Sequence, residues 1–114
     1  MKTITTPYGD LRGVGHAEFW PDGTVRAVIV QEPSELETPF GLLTPRYQTD
    51  DLRRLRLDPI EFHKNGRLKS LTLETPAEIE TQAGRFPAES LTFHESGALK
   101  RLFPLRGNLS GYWT

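Results

Sequence analysis

Three stretches of the chain spell one β-hairpin: AEFWPDGTVRAVIV from Ala17, IEFHKNGRLKSLTL from Ile60 and LTFHESGALKRLFP from Leu91. Each has Phe, three residues, Gly, one residue, a branched apolar residue, then Arg or Lys. The loops Pro21-Asp22-Gly23, Lys64-Asn65-Gly66 and Glu95-Ser96-Gly97 suit a type I turn closed by a glycine at positive φ, a common three-residue hairpin connection. Glycine is required at the last position because a Cβ would clash there. With such a loop Phe19 faces Val25, Phe62 faces Leu68 and Phe93 faces Leu99, and aromatic-to-branched pairs of this kind contribute roughly 0.2–1 kcal/mol each. The following apolar residues step by three and then by two, as in Val25-Val28-Val30 and Leu68-Leu71-Leu73. A strand that changes phase once carries a bulge, and the flanking Gly and Pro exclude the helix that such spacing could otherwise suggest. Tyr47 to Leu57 reads as a degenerate fourth copy, with Asp51 in the glycine slot.

A second hairpin type is interspersed with the first. Ile4-x-Thr6-Pro7-x-Gly9-x-Leu11 returns as Leu36-x-Thr38-Pro39-x-Gly41-x-Leu43 and as Ile79-x-Thr81-Gln82-x-Gly84-x-Phe86. Self-similarity at a spacing of about 30–45 residues marks a repeat architecture. Pro- and Glu-rich joints at Gln31 to Glu35, Asp58-Pro59 and Glu74 to Glu78 read as strand ends or edges, since proline interrupts a ladder. The tail LRGNLSGYWT, from Leu105, reads as the opening of a further repeat or as a strand that caps the sheet. The expected fold is all-β: one domain over residues 1–114, made of antiparallel hairpin repeats in an extended twisted sheet or an open barrel-like roll, with no helix of consequence.

Composition narrows the function classes. A hydrophobic content of 36% with nine Pro and ten Gly suits a turn-dense, thin β domain. The absence of cysteine excludes disulfides and thiolate metal sites, and it fits a reducing cytoplasm, the expected location. No apolar run is long enough for a signal peptide or a membrane span. A net charge of −1 argues against a general nucleic-acid or anionic-membrane binder.

Three groups of residues are candidate sites. His63 and His94 follow the hairpin Phe, in the slot that Trp20 fills in the first copy and Gln48 in the fourth, which suggests a surface position beside a turn. The two histidines with Glu95 would make a metal site only if stacking brought them together. His16 stands alone. Arg26, Arg53, Lys69 and Lys100 share one repeat position and would form a basic row able to bind an anion or an acidic partner. The plainer reading pairs Arg26 with Glu18 and Lys69 with Glu61 across each hairpin, as exposed ion pairs worth about 0–1 kcal/mol. Among the aromatics, Phe19, Phe62 and Phe93 are assigned to the core, while Trp20, Tyr112 and Trp113 are candidates for a partner surface. Enzyme templates fail: the chain has no G-x-S-x-G, P-loop, H-E-x-x-H or G-x-G-x-x-G.

Phe62-Gly66-Leu68-Lys69, Phe93-Gly97-Leu99-Lys100 and the tail Gly107 to Trp113 resemble MORN (membrane occupation and recognition nexus) repeats, most of all the divergent bacterial variant described as an antitoxin component. Phe19-Gly23-Val25-Arg26 matches more loosely. The resemblance implies an array of antiparallel hairpins that serves as an interaction surface and carries no catalytic residues. The expected function is therefore a non-enzymatic protein-interaction or scaffold module, without cofactor or metal. The alternative is a small-ligand or anion binder that uses the basic row.

Overall fold

The computed structural model describes residues 2–47 and 59–103. Among these residues the chain is all β, with no helix. Seven strands form one antiparallel sheet in chain order: β1 (Lys2–Thr6), β2 (Gly9–Phe19), β3 (Val25–Val30), then β6 (Ile60–Phe62), β7 (Leu68–Thr81), β8 (Gly84–Phe93) and β9 (Leu99–Phe103). A separate hairpin of β4 (Leu36–Thr38) and β5 (Gly41–Leu43) lies between β3 and β6 in sequence. Among the described residues the large sheet is open, with β1 and β9 at its edges.

The Phe-containing turns share one geometry. The amide of the residue after Phe donates to a carbonyl four residues on: Trp20 to Thr24 (2.7 Å), His63 to Arg67 (2.8 Å) and His94 to Ala98 (2.8 Å). The glycine amide closes the inner turn onto the same residue's carbonyl at 2.9–3.0 Å, and Gly23, Gly66 and Gly97 take φ of 93°, 87° and 94°. The expected pairs Phe19–Val25, Phe62–Leu68 and Phe93–Leu99 all form. Immediately beyond each pair the register slips by one residue, so that Arg26, Lys69 and Lys100 are the unopposed residues of three equivalent bulges. These bulges account for the apolar step of three. The fourth hairpin expected near residues 46–57 lies outside the described residues.

The Thr-x-x-Gly turns are also alike. Thr6, Thr38 and Thr81 each accept the amide two residues on (3.0–3.1 Å) and donate to the glycine carbonyl (2.7–2.9 Å). The threonine hydroxyl thus closes the loop that proline pre-shapes in the first two copies.

β4 and β5 cover the inner face of the sheet. The amide of Glu37 donates to the Tyr8 carbonyl, while Arg46 and Glu74 donate to the carbonyls of Thr72 and Thr44, all at 2.8–2.9 Å. Register slips at both ends of the Leu11–His16 stretch bend β2, and the Tyr8 hydroxyl comes to accept the Leu68 amide at 3.0 Å. Between the two layers lies a core that includes Leu11, Val28, Leu36, Leu43, Phe62, Leu71, Leu73 and Leu91, all 2% exposed or less.

Two expectations are corrected. Phe19 is not core but 55% exposed. β1 pairs with β2 only as far as Val14, so among the described residues no strand pairs with β2 beside Phe19 on that side. The Glu74 to Glu78 joint does not end a strand, because β7 runs through it. Residues 73–76 bulge opposite Glu89 alone, since Thr72 pairs with Ser90 and Ala77 with Ala88. The bulge accommodates Pro76, which could not donate within a regular ladder.

Candidate functional site on the outer face

Across the last four strands of the sheet, Glu61, Ser70, Thr92 and Arg101 stand opposite one another in a row. The neighbouring row Leu71, Leu91 and Leu102 belongs to the core. Strict alternation therefore turns the first row to the outer face. The bulges bring Lys69 and Lys100 beside it, and the turn brings His63. Together these groups line a cleft of about 220 Å³ with Phe103 at its side.

His63 is oriented by its backbone neighbour. Its Nε2 lies 2.9 Å from the Phe93 carbonyl and must donate to it, while Nδ1 has no hydrogen-bond partner among the described residues. Trp20 does the same one hairpin earlier, with Nε1 donating to the Phe62 carbonyl at 3.2 Å. The slot that holds Trp or His thus ties each hairpin to the Phe of the next. On the cleft floor, the Thr92 Oγ1 is buried without a hydrogen-bond partner among the described residues.

The basic row is split. Lys69 and Lys100 share the cleft, whereas Arg26 forms an ion pair with Glu18. The Arg26 guanidinium also lies 5.6 Å from the Trp20 ring centroid, and Lys64 Nζ lies 5.4 Å from it. Trp20 is half-buried, its indole N–H engaged and its ring held against two cations. Among the described residues Glu61 and Lys69 form no ion pair, although both line the cleft. Arg53, Tyr112 and Trp113 lie outside the described residues.

Arg101 is the cleft residue that the repeat pattern did not single out. It follows the bulge residue as Ala27 and Ser70 do, at a position where the residue type varies, and its placement depends on the bulge at Lys100, which returns the next residue to the outer row. Glu61, His63 and Ser70 line one cleft, but no hydrogen bond links them among the described residues, and the His63 Nε2 is engaged elsewhere. His16 lies 3.1 Å from Glu18 on the exposed surface, and His94 is exposed. No cluster of three His, Asp or Glu side chains suited to a metal occurs among the described residues. No helix there is long and apolar enough to cross a membrane.

Comparison of the chain with protein-family models, with curated proteins and with solved structures returns no match.

Proposed function

We propose that the domain is a non-enzymatic binding module of the MORN-like hairpin kind, whose outer cleft takes an acidic segment of a partner protein. One observation carries this reading: Lys69, Lys100 and Arg101 converge on one concavity that holds a single carboxylate, Glu61. The convergence is local, since the whole chain has a net charge of −1. A small free anion is the alternative occupant of the same cleft. The lack of cysteine supports a role in a reducing compartment such as the cytoplasm.

The test is fluorescence anisotropy with a labelled Glu-rich peptide at low and at high salt. Binding is expected to weaken with salt, as screening demands. The double variant Lys69→Glu/Lys100→Glu should lose at least about tenfold in affinity, because two attractive contacts become repulsive. Arg26→Glu, on a different hairpin, should bind within about twofold of the parent. A double variant that binds like the parent would remove the cleft from the reading.

A further inference from the structure

The opposite, inner face holds a second concavity, formed where four turns meet. Tyr8 comes from the first turn, Pro39 and Phe40 from the β4–β5 turn, Arg67 and Leu68 from the third and Phe93 from the start of the last. The space is about 320 Å³ and its walls are mainly apolar. Phe40 and Phe93 are in contact at one side, with ring centroids 5.8 Å apart. Close packing normally leaves few gaps larger than a water molecule, and a space of this size with few polar groups has the character of a small-molecule site.

Two polar groups set the chemistry. The Tyr8 oxygen accepts the Leu68 amide at 3.0 Å, so the hydroxyl proton points elsewhere, and no acceptor takes it among the described residues. Arg67 Nη1 is pinned to the carbonyls of Ser96 and Glu95, the latter at 3.3 Å. Its Nε and Nη2 have no hydrogen-bond partner and no carboxylate pairs with it among the described residues. A fixed guanidinium edge and a free O–H donor beside apolar walls match an acceptor-only head on an apolar body.

We propose that this concavity binds a small apolar carboxylic acid, with the carboxylate on Arg67 and Tyr8 and the hydrocarbon between Phe40, Leu68 and Phe93. A neutral hydrocarbon would leave both donors unmatched, and an amine would face the guanidinium. The site shares only Phe93 with the lining of the acidic-partner cleft and does not depend on Lys69, Lys100 or Arg101.

The probe is 4-phenylbutyrate, titrated into the full chain with amide chemical shifts as the readout and 4-phenylbutyramide as the control. The acid should bind saturably and move the Leu68 and Gly97 amides. The amide analogue should bind at least about tenfold more weakly, the worth of one hydrogen bond between charged groups. Arg67→Gln, at an exposed position, should weaken the acid by a similar factor. Ser96→Trp, which fills the concavity from its rim, should abolish binding while the chain still melts cooperatively. Absence of saturable binding, equal affinity for acid and amide, or shifts confined to Lys69 and Lys100 would each overturn the assignment.

Discussion

The tip of the β2–β3 hairpin and the tip of the β6–β7 hairpin follow the same sequence grammar and build the same turn, yet they end in different surroundings. Gly23 and Gly66 have φ of 93° and 87°, and the closing hydrogen bonds are 2.7 and 2.8 Å. Phe19 and Phe62 each face the expected branched residue, but Phe19 is 55% exposed and Phe62 is fully buried. The difference lies in the neighbours. The β6–β7 hairpin has β3 on one side, β8 on the other and Tyr8 over its inner face. Among the described residues the β2 end at Phe19 pairs with β3 alone. Local sequence therefore fixes the turn and the pairing, whereas burial depends on where the hairpin sits in the sheet.

Truncating the two phenylalanines gives the sharpest contrast. Phe62→Ala should cost about 3–5 kcal/mol in chemical denaturation, the usual range for a buried aromatic. Phe19→Ala should cost no more than about half as much, since more than half of the residue's surface stays in water. Equal losses would show that Phe19 is covered in solution and would erase the comparison. The glycines should behave oppositely, as equals. A Cβ on Gly23 or Gly66 meets nothing within 4 Å, so only backbone strain opposes it. Gly66→Val and Gly23→Val should each lose more than about 1 kcal/mol, and by similar amounts, because a β-branched residue resists positive φ. A Gly66→Val variant that melts with the parent would remove the turn assignment. A large inequality between the two would mean that the turns feel their surroundings after all.

The same division explains what could be read from the sequence. Phe-x-x-x-Gly and Thr-x-x-Gly specify their turns because the glycine conformation and the threonine hydroxyl act over four residues or so. The bulges at Arg26, Lys69 and Lys100 were legible from the broken apolar rhythm. Nothing local announces that Pro76 sits in a continuing strand, because the bulge there is bordered by residues 44–46, some thirty positions away. Likewise no pattern in Tyr8 or Leu68 signals that one caps the other's amide from 60 residues away. The candidate site was half legible. Lys69 and Lys100 share a repeat slot and meet in one cleft. Arg26 shares the slot but is drawn to Glu18 and Trp20, and Arg101 enters the cleft from a position that holds Ala27 and Ser70 in the other copies.

The smallest expected effect lies within the turns themselves. The middle loop residue always accepts the amide two positions on: Thr24 to Asp22 (2.9 Å), Arg67 to Asn65 (3.0 Å) and Ala98 to Ser96 (3.3 Å). Asp22 alone among the three can titrate. The hydrogen bond from the Thr24 backbone, followed by a contribution from the Thr24 side chain and a weaker one from the Lys64 charge, holds its carboxyl below the ordinary aspartate range. A carboxyl with a depressed folded pKa contributes stability that is complete above its unfolded pKa and lost as pH falls through the folded value. Asp22→Asn keeps an acceptor for the Thr24 amide but removes the charge. Its stability should therefore fall less than that of the parent on acidification, so the gap between the two should narrow from about pH 5 downward. The check is denaturant unfolding of both proteins across that range. Parallel pH profiles would mean that the Thr24 bond does not discriminate between the charged and neutral carboxyl. The first turn would then differ from the other two only in the exposure of its Phe.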